Sequence, residues 1–358
     1  MRITVPLKSI KDIDSLVKAG ANEFYAGLVT REWHSRYGSS VEVNRRGFLG
    51  PRANFTSTAN LAAAIQRCHE LHRPVFITLN HLYYVDEQMD LVASILKTLN
   101  DIEADGVILA DMGALLCARE VSPNLKILIS GTEMTQNSET SQFYHELGAQ
   151  RIILPRHLVV SEIRQIIANV PELEYEVFIM NGGCKFSEGL CTVTHSTEFG
   201  GLCQFLGLFC NYSYQRANYS PVSLSEEKNL RINELYYHKF FWPYYRTTGV
   251  SEFADICGLC AVRALMDAGV GALKIVGRNM SPERVRRQVQ LLKRAVHHAA
   301  TSSCTEDYHQ RIKDLYPPLT CATGDIGATF LKFGIPTIHK GQQEIGWEYG
   351  SWCRIRSK

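Results

Sequence analysis

The feature that most constrains this chain is the alternation, over its first half, of short apolar runs with segments of helical periodicity. Residues 3–5 read as a strand, and Ile13, Leu16 and Val17 mark a helix behind it. Further strands are expected at 23–26, 74–79, 106–110, 125–130, 151–154 and 175–180, with helices over 60–71, 88–100, 140–147 and 161–169 between them. The strands are apolar on both faces, as in a parallel sheet covered by helices rather than a half-solvated antiparallel one. After a break, a helix over 261–268, a strand over 272–276 and a basic helix over 282–299 restore the pattern. Eight strands predict an α/β fold, a (β/α)8 TIM-like barrel, over residues 1–302.

The break is itself informative. From 181 to 256 the periodicity gives way to cysteines, aromatics and turn residues, which we read as an insertion after strand 7. Residues 303–358 contain Pro317-Pro318 and several glycines and read as a short irregular extension. At 45% hydrophobic and 21% charged residues, the chain can bury a large core. Its net charge of +2 argues against a dedicated nucleic-acid tail and leaves room for a local basic groove. No apolar leader and no stretch of membrane-spanning length is visible, so a cytoplasmic protein is expected.

Barrels of this kind place their chemistry at the C-terminal ends of the strands. Those positions hold Asn80, Asp111, Glu133, Arg156, Asn181 with Cys184, and Arg278. Arg156, Lys274 and Arg278 are expected to point towards the mouth. There they would either clamp an anion or form rim salt bridges to Glu133 or Asp111. His157 is expected to orient other groups, and His195 is a candidate ligand in the insertion.

Five of the eleven cysteines fall between Met180 and Cys257, a concentration that in a reducing compartment points to metal or redox chemistry. Cys184, Cys191, Cys203, Cys210, Cys257 and Cys260 form the constellation. Four thiolates suit an iron–sulfur cluster. Zinc is the rival metal, because a four-cysteine structural site has the same donor set. The bland alternative is a group of buried small hydrophobes, which is how Cys68 and Cys117 read. Gly182 and Gly183 would let backbone N–H groups approach a cluster.

The stretch from Glu176 through Phe178 to Asn181-Gly182-Gly183-Cys184, followed by Gly189-Leu190-Cys191, resembles the signature of the collagenase-like peptidase family U32. Four other segments are similar to that family: 76–80, 147–156, Asp255-Ile256-Cys257, and 267–278 with its Leu273-Lys274-Ile275-Val276-Gly277-Arg278. The resemblance covers roughly residues 3–299. It implies an iron–sulfur enzyme that hydroxylates without molecular oxygen, acting on a small aromatic or quinone precursor or on a nucleobase, with prephenate as oxygen donor. It implies a [4Fe–4S] cluster on Cys184, Cys191, Cys210 and Cys257, with Cys203 and Cys260 as the competing assignments. From the strand-end logic of the barrel, Arg156, His157, Lys274, Arg278 and Asn80 are the candidate catalytic set. In length the chain looks more like the short quinone-pathway members, which work as paired subunits. His157 and Val276 stand where the family has Glu, and Asn211 where it has Arg.

Three functions therefore stand: an oxygen-independent hydroxylase, a cysteine- or metal-dependent peptidase, and a non-catalytic cluster-bearing partner subunit. The expected partners are a small-molecule substrate, an anionic oxygen donor, and a paired family subunit or a second copy; a nucleic acid is left open. No HExxH zinc motif or GxSxG elbow occurs. The aromatic run 236–246 reads as a satellite core or interface, or alternatively as a stacking lid.

Overall fold

The computed structural model describes residues 1–38, 41–156, 158, 160–181, 195–196, 200–201, 258–312 and 315. His157, Cys184, Cys191, Cys203, Cys210 and Cys257 lie outside the described residues, as does the aromatic run 236–246.

The eight expected strands are present: β1 Arg2–Pro6, β2 Glu23–Gly27, β3 Val75–Leu79, β4 Gly106–Leu109, β5 Lys126–Ile129, β6 Arg151–Ile153, β7 Glu174–Met180 and β8 Ala272–Ile275. They close into a barrel in chain order, each parallel to its neighbours, with β8 paired to both β7 and β1. The helices are α1 Ile13–Ala19, α2 Arg31–Tyr37, α3 Thr58–Glu70, α4 Asp86–Asp101, α5 Met112–Val121, α6 Ser138–Glu146, α7 Val160–Asn169, α8 Val262–Asp267 and α9 Pro282–Thr301. Their starts follow local chemistry. Ser57, Asp111, Asn137 and Ser281 each accept a backbone N–H with the side chain at the first turn of α3, α5, α6 and α9. No helix among the described residues is long and apolar enough to cross a membrane.

Strand side chains alternate between the barrel interior and the helix layer. Phe24, Ile77, Ile152, Val177 and Ile275 face outward and join the main core against the helices. Tyr25, Phe76, Ile108, Leu128 and Ile153 face inward with Phe178 and fill a central layer. Two residues nearer the strand starts, Glu23, Arg151, Glu176 and Lys274 form a second inward layer that is charged and buried. Arg151 bonds Glu23 at 2.5 Å and Glu176 at 2.8 Å, and Lys274 bonds Glu176 at 2.7 Å.

This layer corrects one expectation. Lys274 does not reach the mouth. Its position in β8 is inward but deep, and Nζ lies 4.3 Å from the centre of the Tyr25 ring. The carboxylate it meets is Glu176, not a rim acid.

The chain after 302 also differs from an irregular tail at its start. A further helix, α10 Thr305–Ile312, buries Tyr308 and Ile312 against the barrel. The Tyr308 hydroxyl donates to the Leu259 carbonyl at 2.5 Å and so ties α10 to the segment that re-enters the barrel. Residues 316–358 lie outside the described residues.

Candidate active site at the barrel mouth

Gly27 ends β2, and a side chain there would overlap Arg278 Nη1 and Asn54 Oδ1. The missing side chain leaves room for the Arg278 guanidinium, which arrives from the end of β8. Its Nη1 donates to Asn54 Oδ1 at 3.0 Å and to Thr78 Oγ1 at 2.8 Å, and its Nη2 donates to Asn44 Oδ1 at 2.9 Å. All three acceptors are neutral. Arg278 is 6% exposed, and no carboxylate pairs with it among the described residues. Burial pulls it down to about 10; Tyr25 and Glu42 work against that drop, and Arg46 adds to it. A buried guanidinium held only by neutral oxygens keeps its positive charge available to a ligand.

Asn44 and Asn54 come from the polar excursion between β2 and α3. Asn44 Nδ2 donates to Asn54 Oδ1 at 3.1 Å, and Asn54 Nδ2 donates to the carbonyls of Arg46 and Gly50 at 2.8 and 3.0 Å. The two asparagines thus fold the excursion and position Arg278 together. Arg46 is lowered by burial and by the nearby Arg45, with Arg156 adding to the effect. Glu42 is 6% exposed and pushed up to about 8 by burial, against the pull of Arg46, Arg45 and Arg278. The mouth is therefore rich in cations, with one reluctant carboxyl among them.

Arg156 follows β6 and stacks its guanidinium 3.5 Å from the centre of the Phe178 ring, over the interior. Asn80 lies at the rim, accepting from the Arg45 N–H and donating to Ser130 Oγ, both at 3.4 Å. Asp111 instead caps α5 through the Ala114 N–H at 2.7 Å, and Glu133 accepts from the Tyr144 hydroxyl at 2.6 Å. The structure thus brings Arg278, Arg156 and Asn80 to one mouth and leaves Lys274 below it. Sequence reading missed Gly27, Glu42, Asn44, Arg46 and Asn54, and took Thr78 only as part of the 76–80 motif. The available signals were a glycine ending an otherwise bulky strand and the density of Asn and Arg in the excursion.

The two ends of the cysteine-bearing insertion are also at this rim. Asn181 adopts a left-handed conformation at φ 64°. Its side chain exchanges two 2.8 Å hydrogen bonds with Gln288 of α9, and Nδ2 also reaches the Val276 carbonyl. Gly258 N–H donates to the Ile179 carbonyl at 2.8 Å, which returns the chain beside the end of β7. Cys260, one of the competing ligand assignments, is buried in the apolar core.

The sequence pattern of peptidase family U32 matches residues 8–324. The chain belongs to peptidase family U32. Among U32-like relatives, the tRNA hydroxylation protein P of Haemophilus influenzae is 28% identical over 189 residues, 53% of this chain and 37% of that protein. The tRNA hydroxylation protein P2 of Bacillus subtilis is 23% identical over 321 residues, 86% of this chain and 91% of that one. The collagenase of Porphyromonas gingivalis is 22% identical, covering 82% and 65%. The chain spans 37% and 54% of the length of the first two curated relatives it matches. A solved structure of the U32 peptidase Mk0906 superposes over 50% of this chain and 69% of that one, at 15% identity and a TM-score of 0.39. Three of the segments that carry the U32 resemblance meet in the interior charged layer, which joins Arg151, Glu176 and Lys274.

Proposed function

We propose that this chain is an RNA-hydroxylating enzyme of the U32 family, acting on a base at the barrel mouth without molecular oxygen. The observation that carries the reading is the Arg278 site. A buried cation, held by three neutral acceptors and surrounded by further arginines, is built to receive an anion. The tRNA hydroxylation names of several relatives favour a nucleobase over a quinone precursor as the substrate. Hydroxylation replaces a C–H bond with C–O and withdraws two electrons from the base, so an oxygen donor and an electron acceptor are both required. An anionic donor such as prephenate, the compound implied by the family resemblance, fits the Arg278 site.

A [4Fe–4S] cluster on Cys184, Cys191, Cys210 and Cys257 would supply electron transfer when bound. What supports this is chemistry and chain connectivity. Cys184 is three residues from Asn181 and Cys257 adjoins Gly258, and both of those anchors stand at the rim. Zinc on the same thiolates is the alternative metal. The chain's own contribution is to hold the anion on Arg278 and to place Asn80 and Arg156 at the same mouth. Among the described cysteines, Cys68 is buried with its thiol pushed up to about 12 and Cys260 is in the core, so neither suits the nucleophile of a cysteine peptidase.

The test is anaerobic purification with iron and acid-labile sulfide analysis. It is followed by nucleoside mass spectrometry of RNA incubated with the protein, prephenate and an external one-electron acceptor dye, which takes the two electrons withdrawn from the base in two steps. Gain of one oxygen on a base, dependent on the donor, is the expected outcome. Zinc without sulfide, or unmodified RNA together with peptide cleavage, would overturn the reading.

A further inference from the structure

Beside the mouth, the excursion between β2 and α3 encloses a cavity of about 560 Å³ between α2 and residues 47–52. Its lining includes Val29, Trp33, His34, Val43, Phe48 and Pro51. We propose that this cavity seats one unstacked base of a single-stranded RNA, next to the base presented to the mouth. The proposal rests on the reading of the chain as an RNA-hydroxylating enzyme and adds a second nucleotide site to it.

Cavity and mouth share one wall. Val43 and Gly47 line the cavity, while Asn44, between them, holds Arg278 at 2.9 Å. A strand of RNA lying over residues 43–47 would therefore meet both sites. The cavity is preformed. Trp33 is 1% exposed, and its indole N–H donates to the Val41 carbonyl at 2.9 Å, which fixes the back wall. Gly50 also lines the cavity, and a side chain there would meet nothing within 4 Å; its φ of 49° is what calls for glycine. Phe48 is half-buried and His34 exposed, so the lining offers rings for stacking as well as an apolar floor. A volume of this size belongs to the range that holds small organic ligands.

Charge selects a polyanion. Residues 30–54 carry five arginines (Arg31, Arg36, Arg45, Arg46 and Arg52) against two glutamates, while the whole chain is only +2. The rest of the chain is therefore net negative. Arg31 lines the cavity and is exposed, and the exposed Arg52 follows the lining residue Pro51; Arg36 is exposed as well but lies 4.0 Å from Glu87. Exposed arginines around an aromatic-lined recess are the arrangement by which proteins hold single strands: phosphates outside, a base inside.

The experiment uses the anaerobically purified full chain and a fluorescein-labelled RNA hairpin with a single-stranded loop, read by anisotropy across a salt series. Phe48→Ala should weaken binding about tenfold while leaving the salt dependence unchanged. Phe48→Leu keeps the apolar volume but has no ring and should bind like Phe48→Ala. Arg31→Gln and Arg52→Gln should each reduce the slope of log affinity against log salt by about 0.7. An abasic substitution at one loop position should weaken the wild type by the same factor, and Phe48→Ala should add nothing on that RNA. Wild-type affinity in Phe48→Ala, or equal losses on intact RNA and on every abasic RNA, would overturn the proposal. Phe48-dependent binding without any hydroxylated nucleoside would unseat the hydroxylase reading alone. Hydroxylation with a wild-type dissociation constant in Phe48→Ala would unseat the second site alone.

Discussion

Glu176 and Lys274, 98 residues apart in the chain, form a 2.7 Å ion pair inside the barrel, one layer below the aromatic ring of Tyr25. Burial works against the charge on Glu176, but Lys274 and Arg151 outweigh it and hold the carboxyl below its ordinary range. Removing one member of such a buried group leaves its partners charged and underpaired. Glu176→Gln should destabilise the fold by about 3–5 kcal/mol, read by urea denaturation. Adding Lys274→Met should recover part of that loss, because the two sites are coupled. Strictly additive losses would mean that the pair contributes nothing as a pair.

Glu42 sets a pH dependence. Its folded value, about 8, lies above the ordinary 4.5. Between those values the folded chain holds a proton that the unfolded chain has released. Its contribution to stability is therefore complete below 4.5 and is lost as pH rises through 8. The slope is at most about 1.4 kcal/mol per pH unit. Glu42→Gln should flatten that decline between pH 5 and pH 8 in thermal melts. A decline identical to the wild type would show that Glu42 is ionised throughout.

Gly27 and Arg278 should behave as one unit. Arg278→Met should weaken binding of prephenate by about tenfold or more, from loss of a charge-assisted contact, with metal content unchanged. Gly27→Ala should give a similar loss although it alters no charge, because its side chain would occupy the place of the guanidinium. Arg278→Lys should not rescue, since an ammonium cannot span Asn44, Asn54 and Thr78 at once. Calorimetric titration checks all three. Full binding by Gly27→Ala would show that the arginine is not the anion's partner.

Single Ser substitutions at Cys184, Cys191, Cys210 and Cys257 should each cut iron content sharply in anaerobic preparations. Ser at Cys68, Cys117 or Cys304 should leave it unchanged. Thiolates gathered without a metal repel one another, whereas a bound metal keeps them deprotonated. Essential Cys203 with dispensable Cys210 would reassign the third ligand. Essential Cys260 would require its thiol to leave the apolar core it occupies.

The barrel was legible in the chain because its strands are short, mostly apolar runs that alternate with amphipathic helices, the pattern of a helix-covered parallel sheet. The place of Arg278 was legible for a related reason: a residue just past a barrel strand faces the mouth whatever the loops do. Lys274 shows where that reasoning ends. It stands four residues before Arg278, yet the pleat turns it inward to a carboxylate on β7. Only closure of the sheet decides which strands become neighbours. The excursion between β2 and α3 shows the same limit. Its asparagines and arginines carry no periodicity, so their partners depend on contacts across the mouth, such as Asn44 with Arg278 over 234 residues. Local patterning sets the elements, because propensity and amphipathicity act over a few residues. Which side chains share a buried space is decided by long-range pairing, and here that pairing assembles the cation-rich site.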